Sequence, residues 1–300
     1  MNLRAPHMHL ALAFATSLAA CGGTEAPVVP PAPAPPPESA ATDAPPAPPA
    51  AIGQAPSAEA PRPPVDIEPM APPATPNPMP AVKITAPKAD QVIPVEKAPG
   101  FEVTLDVKDW DVKQGGPHIH VILDNQPYYA AFDPKKPVTL REVAPEGNLA
   151  EGQHVLIAFP SRDNHISVKP DGGKKPFAVV PFWIGKRGTA TWKPTDPTLV
   201  YSRPKGEYVG PDADEVFLDF YLLNAELGDG KFMVHPTITP PKGEARSITV
   251  KTWQPFRLKN LPDGETRVKL ELRDAKGVVV PGPWNSVERS ITVRHGAPAK

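Results

Sequence analysis

The sequence predicts an all-β fold that follows a long segment unable to build a core. Short alternating apolar runs, broken by Pro and Gly, extend from about residue 81 to residue 296. Such runs are typical of the short strands of a β-sandwich. Before them, Pro accounts for 21 of the 57 residues from Thr24 to Pro80. Pro lacks the backbone N–H that strands and helices need, so we expect that segment to be disordered.

Five runs mark strands in the first half of the folded region. Residues 101–107 alternate apolar and polar side chains, as a strand with one buried face does. The other predicted strands are 118–124, 138–140, 154–159 and 177–184. Several short strands at this spacing predict an immunoglobulin-like sandwich, although the Cys–Trp–Cys core of antibody domains is absent.

The second half of the folded region repeats the pattern of the first. The alternation of residues 101–107 recurs at 216–222. Other matching segments of the two halves are separated by a similar number of residues. We therefore predict two tandem immunoglobulin-like modules that fold independently, and a Pro/Ala-rich tether that buries nothing against them. The predicted bounds are 21–81 for the tether, 82–186 for the first module and 187–296 for the second.

The first twenty residues have the features of an export signal. Arg4 supplies the positive charge, and the apolar run 10–20 is too short to span a bilayer. Small residues lead into Cys21, the only Cys of the chain, in a pattern that resembles the bacterial lipoprotein signal. We predict that residues 1–20 are a signal peptide and that Cys21 is lipidated. An ordinary secretory signal is the alternative.

Lipidation at Cys21 would make a membrane the first partner of this protein, because several acyl chains give stable anchoring. An Asp directly after the lipidated Cys would resemble an inner-membrane retention signal, but this chain has Gly22 at that position. This favours the outer membrane of a bacterial envelope, with the tether as a spacer. A Pro-x-x-Pro docking segment is the alternative use of the tether.

Composition and motifs exclude several functional classes. The 32 basic and 33 acidic residues give a net charge of −1, so no strongly basic nucleic-acid surface is expected. A single Cys excludes disulfide frameworks and Cys-based zinc sites. No Gly-x-Ser-x-Gly elbow occurs, and Ser161, Asp163 and His165 are too close in sequence to form a triad. We therefore expect a protein that is not an enzyme; an unrecognised hydrolase is the alternative.

Three short motifs of the first module resemble a bacterial family of exported domains of unknown function. They are a His-rich strand ending in Leu-x-Asp at 117–124, a Gly-x-His turn at 152–156 and an Asn-His pair at 164–165. The resemblance covers less than a third of the chain and implies an immunoglobulin-like fold outside the cytoplasm. Members of that family often carry three adjacent histidines where this chain has His118-Ile119-His120.

Four histidines of the first module are candidate metal ligands: His118, His120, His154 and His165. The first two are separated by one residue on a predicted strand, so both imidazoles point to the same face. Imidazole is a good ligand for zinc and copper, and three or four together could close a site.

The second module argues against a requirement for imidazole in this fold. The positions that correspond to the four histidines are Phe232, Val234, Thr266 and Lys276. This favours histidines that are structural or contact a partner, with pH sensing as a further alternative. We thus expect a lipid-anchored envelope protein without a cofactor, presenting two sandwiches to a protein or other envelope partner. A periplasmic copper- or zinc-binding protein is the alternative.

Overall fold

The computed structural model describes residues 63–144, 147 and 149–296, whose regular secondary structure is nearly all β-strand. One strand, β1 (Asp66–Pro69), precedes both modules. The first module contains β2 (Ala81–Ala86), β3 (Val92–Ile93), β4 (Glu102–Lys108), β5 (His118–Leu123), β6 (Tyr129–Ala131), β7 (Val138–Thr139), β8 (Gly152–Ser161) and β9 (Ala178–Ile184). The second contains β10 (Thr198–Arg203), β11 (Gly206–Val209), β12 (Val216–Leu223), β13 (Met233–Thr239), β14 (Arg246–Ser247), β15 (Phe256–Lys259), β16 (Gly264–Arg273) and β17 (Ser286–Arg294).

Helices are short in the described part of the chain. A single α-helical turn, α1 (Leu140–Val143), follows β7, and two 3-10 turns lie at Val95–Lys97 and Gly210–Asp214. No helix among the described residues has the length and apolarity needed to cross a bilayer.

The two halves share one strand topology. The first has sheets in the order β2-β4-β7 and β3-β9-β8-β5-β6, and the second has β10-β12-β15 and β11-β17-β16-β13-β14. Every strand of the first half thus has a counterpart in the second, including a short second strand that pairs parallel with the last one. The predicted fold class, two tandem immunoglobulin-like sandwiches, is confirmed by this arrangement.

Strand β1 corrects the predicted C-terminal end of the tether. It pairs antiparallel with β15 and extends the first sheet of the second module. Val65 and Ile67 are 7% and 4% exposed within the core of that module. They alternate with acidic residues, as edge-strand residues do, and an edge position tolerates the flanking prolines. Val65 and Ile67 therefore belong to the folded region, whereas Cys21 and the tether up to residue 62 lie outside the described residues.

The two modules share an apolar interface. Strand β5 is buried along its whole length, because one face meets the core of its own sandwich and the other meets the second module. Phe159 of β8 stacks on Tyr221 of β12 with ring centroids 4.5 Å apart. This interface includes Ile122, Tyr128, Val155, Ile157, Phe159, Trp192, Val200, Tyr221 and Leu223.

A buried ion pair crosses the same interface. The Asp219 carboxylate of the second module is 0% exposed and lies 2.7 Å from Lys169 Nζ of the first. It also accepts hydrogen bonds from the backbone N–H and the hydroxyl of Ser167, at 3.2 and 2.6 Å. Lys169 in turn donates to the carbonyl of Phe220 at 2.5 Å. The module interface is thus held by charge as well as by apolar packing.

Candidate metal centre

Strand β5 brings two histidines to the face that meets the second module. Because side chains two residues apart share one face of a strand, His118 and His120 point the same way. Both are 0% exposed. Their Nε2 atoms are 3.1 Å apart. The two imidazoles therefore lie on one face of the strand, as the sequence predicted.

The hairpin after β8 supplies the third histidine. Arg162 N donates to Ile166 O at 3.0 Å, and Ile166 N donates to the Asn164 side chain at 3.2 Å, which closes a tight turn. His165 occupies this turn with a φ of 62°, and its ring centroid lies 4.6 Å from that of His118. One ring nitrogen from each of the three histidines lies within 4.8 Å of the others.

Aromatic rings enclose the three imidazoles. Tyr128 stacks on His120 with ring centroids 3.6 Å apart, Phe132 lies 4.7 Å from His118, and Phe159 lies 5.5 Å from His120. Such walls lower the local dielectric and keep water away, which strengthens every electrostatic interaction inside. The cluster formed by His118, His120 and His165 is called the histidine cluster below.

Each imidazole of the histidine cluster is oriented through its Nδ1 atom. His118 Nδ1 donates to the carbonyl of Gly116 at 2.8 Å. His120 Nδ1 lies 3.1 Å from the Ser202 hydroxyl, and His165 Nδ1 lies 3.1 Å from the Tyr128 hydroxyl. Metal-binding histidines are usually held in this way, with the second ring nitrogen bonded to a protein group. The Nε2 atoms of His118 and His120 consequently face each other.

The hydrogen bonds fix the protons of the metal-free cluster. The Gly116 carbonyl only accepts, so the proton of neutral His118 is on Nδ1 and its Nε2 is an acceptor. His120 must then donate from Nε2, and its Nδ1 accepts from the Ser202 hydroxyl. If the proton of His120 moved from Nε2 to Nδ1, the Ser202 hydroxyl would accept a hydrogen bond from Nδ1. The Nε2 lone pairs of His118 and His120 would then both be available for a cation.

Burial keeps these histidines neutral. Desolvation lowers the pKa of His118 and places the pKa of His120 well below its usual value. Desolvation, with the nearby charge of Arg203, lowers the pKa of His165 to about 3. Neutral imidazole is the form that ligates a metal, so the cluster needs no deprotonation at neutral pH.

His154 does not join the other three histidines. It lies near the start of β8, whereas His118 pairs with the last residue of that strand. Its Nδ1 lies 2.5 Å from Asp124 Oδ2, and its Nε2 donates to the carbonyl of Ala150 at 2.8 Å. Burial disfavours its charged form, but the Asp124 carboxylate outweighs this and raises the pKa of His154. Both ring nitrogens of His154 have protein partners, so the predicted four-histidine site does not form and His154 lies outside the cluster.

Two residues of the cluster's surroundings were not expected from the sequence. Ser202 orients His120 although it lies 82 residues away in the other module. Tyr128 both stacks on His120 and bonds His165. Neither has a local sequence signal, because both contacts depend on how loops and modules pack.

Comparisons with known proteins do not assign this chain to a family. No family model matches it, and no curated protein matches it. The fibronectin(III)-like modules of Clostridium thermocellum CbhA share 14% identity over 71% of this chain and 95% of theirs, with a TM-score of 0.25. The FN1-FN3 domains of chicken CNTN1 share 14% identity over 73% and 67%, also at 0.25.

A third similar structure is Bacteroides ovatus SGBP-B in complex with a mixed-linkage heptasaccharide. It shares 14% identity over 71% of this chain and 70% of its own, with a TM-score of 0.22. Because these TM-scores are low, the assignment of the architecture rests on the strand pairing alone.

The buried neutral histidines should make the protein less stable in mild acid. Their pKa values are lower in the folded chain than in the unfolded chain, so the unfolded state binds more protons below about pH 6.5. Stability is then fully present above that pH and is lost as the pH falls toward the folded values. Each fully buried histidine adds a slope of up to about 1.4 kcal/mol per pH unit. His165 adds less, because its ring is partly exposed.

Urea unfolding at pH 7.5, 6.0 and 5.0 would measure this dependence. His118→Phe combined with His120→Val replaces both buried imidazoles with apolar side chains and should flatten the slope below pH 6.5. It does not copy the second module, contrary to the sequence-based prediction, because the strand register places Met233 and His235 at the positions that correspond to His118 and His120. The raised pKa of His154 affects stability only above about pH 6.5, so it leaves this window unchanged. An equal slope in the double variant and the unmodified chain would contradict the prediction.

Proposed function

We propose that this chain is a lipid-anchored, non-enzymatic binding protein of the bacterial envelope, whose ligand is a transition-metal ion held by His118, His120 and His165. One observation carries the metal assignment. A ring nitrogen from each histidine lies within 4.8 Å of the others, while each Nδ1 has its own protein partner. Imidazole ligands of this number suit zinc and copper.

The spacing of the nitrogens supports this proposal. Metal–nitrogen bonds of about 2.0–2.1 Å in tetrahedral geometry place two ligand nitrogens about 3.3 Å apart. The Nε2 atoms of His118 and His120 are 3.1 Å apart. A displacement of the His165 ring by roughly 1.5 Å would bring its nitrogen to the same spacing. The strand thus sets two ligands in place, and the hairpin needs only a small movement to add the third.

Binding, and not catalysis, is the chemistry that these contacts favour. The hydrogen bonds of the three imidazoles go to a carbonyl, a serine hydroxyl, a phenol and each other. Among the described residues, no carboxylate is hydrogen bonded to them that could act as a general base.

Metal binding should raise the stability of the purified full chain. A ligand that binds only the folded state stabilises it by RT ln(1 + [L]/Kd), about 2.7 kcal/mol at a hundredfold excess over Kd. We expect Zn²⁺ or Cu⁺ to increase the melting temperature, and His118→Phe with His120→Val to abolish the increase. Differential scanning fluorimetry with each ion would measure both.

His235→Gln provides the matched control for the metal experiment. This partly buried histidine belongs to β13 of the second module and is not part of the histidine cluster. The control variant should keep the full metal-dependent shift. Failure of Zn²⁺, Cu²⁺ and Cu⁺ all to shift the unmodified chain would exclude the proposed metal function.

The membrane anchor is the second part of the proposal, and its support is the sequence. Cys21 is the only Cys and follows a short apolar run in a lipoprotein-like pattern. Cys21→Ala should therefore move the protein from the membrane fraction to the soluble fraction of the cells that produce it. Immunoblotting of fractionated cells would test this, with Ser17→Ala as the control that should remain membrane-bound. A Cys21→Ala variant that still pellets with membranes would contradict lipid anchoring.

A further inference from the structure

The histidine cluster is flanked by positive charge from the second module. Lys205 Nζ donates to the carbonyl of Tyr128 at 2.7 Å and lies 3.8 Å from the centroid of its ring. Arg203 Nη1 donates to the carbonyl of Asn164, next to His165, at 3.2 Å. The charges of Arg203 and Lys205 both act on all three histidines.

Negative charge near the cluster is weaker. Asp163 is the carboxylate that acts on His118 and His165, and it is exposed on the hairpin. The Tyr128 hydroxyl is neutral, because burial raises the pKa of this phenol to about 12. Two cations therefore oppose one solvent-exposed anion, and the three ligands themselves are neutral.

We infer that the histidine cluster selects the monovalent cation Cu⁺ over the divalent cation Zn²⁺, an inference that rests on the proposed metal function. The energy of transferring an ion into a medium of low dielectric rises with the square of its charge, so a dication costs four times as much as a monocation of equal size. Repulsion from Arg203 and Lys205 is also twice as large for the dication. No anionic ligand offsets these costs among the described contacts of the three histidines.

The number of ligands favours the same ion. Zinc in proteins is almost always four-coordinate, and a three-histidine zinc site completes its shell with water. Here Tyr128, Phe132 and Phe159 surround the imidazoles, and the Ser202 and Tyr128 hydroxyls are already bonded to His120 and His165. Monovalent copper is stable with two or three ligands, so three imidazoles bordered by aromatic rings satisfy it.

Competition titrations on the purified full chain test the inference. Cu⁺ affinity is measured without oxygen against bicinchoninate, and Zn²⁺ affinity against a chromophoric zinc chelator. One net positive charge at roughly 8 Å, at an effective dielectric of about 20, favours the monocation by about 30-fold. We expect Cu⁺ to bind more tightly than Zn²⁺, with this electrostatic contribution supplying on the order of 30-fold of the difference.

Charge-neutralising variants separate electrostatics from ligand preference. Arg203→Gln with Lys205→Gln should increase the affinity for both ions, and the change in log affinity for Zn²⁺ should be about twice that for Cu⁺. Lys251→Gln with Arg294→Gln removes two exposed cations elsewhere on the second module and should change neither affinity. Should the first pair prevent folding, the affinity ratio of the unmodified chain decides.

The outcomes distinguish this inference from the proposed function. Tighter binding of Zn²⁺ than of Cu⁺ would overturn the selectivity and leave the metal function standing. Equal effects of the charge-neutralising pair on both ions would also overturn the electrostatic basis. Absence of binding by either ion would remove the proposed function and the inference together.

Discussion

Deletion of residues 63–69 should lower the free energy of unfolding by about 3–6 kcal/mol. Val65 and Ile67 are buried in the core of the second module, and each such side chain contributes about 1.5–3 kcal/mol on burial. The deletion also removes the backbone partner of β15, whose edge would then be open to solvent. Urea denaturation of the full chain and the deletion variant, followed by far-UV circular dichroism, would measure the loss.

A deletion of equal length at 44–50 is the matched control. That segment contains only Ala and Pro, so its removal should change stability by less than about 0.5 kcal/mol. The segment 187–296 produced alone lacks β1 and exposes the apolar face of the module interface. We expect it to unfold without a cooperative transition. Equal stability of the two deletion variants, or cooperative unfolding of 187–296, would show that β1 is dispensable.

Asp219→Ala should destabilise the folded chain by about 3–5 kcal/mol, because it leaves the largely buried side chain of Lys169 without its counter-ion. Asp219 is 0% exposed and bonds both Lys169 and Ser167 across the module interface. Burial already lowers the pKa of Lys169, so loss of the amine proton would limit the cost. The midpoint of urea unfolding, compared with that of the unmodified chain, gives the measurement.

Asp229→Ala is the control for this ion pair. Asp229 pairs with Lys251 at 2.7 Å, but its side chain is 92% exposed, so we expect the midpoint of urea unfolding to be nearly unchanged. Replacing both partners, with Asp219→Ala and Lys169→Met, should recover much of the stability lost in the single variant. A double variant as unstable as Asp219→Ala alone would show that packing, and not the uncompensated charge, causes the loss.

Local patterns were enough to predict five of the eight strands of the first module. Residues 118–124 were predicted to form a strand with His118 and His120 on one face, and β5 spans His118–Leu123. The prediction for 138–140 was partly wrong, because the strand ends at Thr139 and a helical turn begins at Leu140. Thr139 and Glu142 form a capping box there. That signal was present in the sequence as Thr-x-x-Glu.

Other features depend on contacts between distant segments. The alternation of Val65 and Ile67 lay among prolines, and only the presence of a matching edge on β15 makes it a strand. His165 meets His118 because the hairpin folds back over the sheet, and Ser202 reaches His120 from the other module. Spacing along one strand can predict a shared face, but it carries no information about which loop or module will cover that face.

The position of β1 also determines how the protein would carry mechanical load. A pull applied at residue 63 acts first on the backbone hydrogen bonds between β1 and β15. It then acts on the contact of Met70 with Pro255 and the bond from Arg162 to the Ala74 carbonyl, before it reaches β2. The pairing of β1 with β15 in the second module would therefore bear such a load first. A force applied to the chain before residue 63 would act on this pair of strands before it reached the strand that holds His118 and His120.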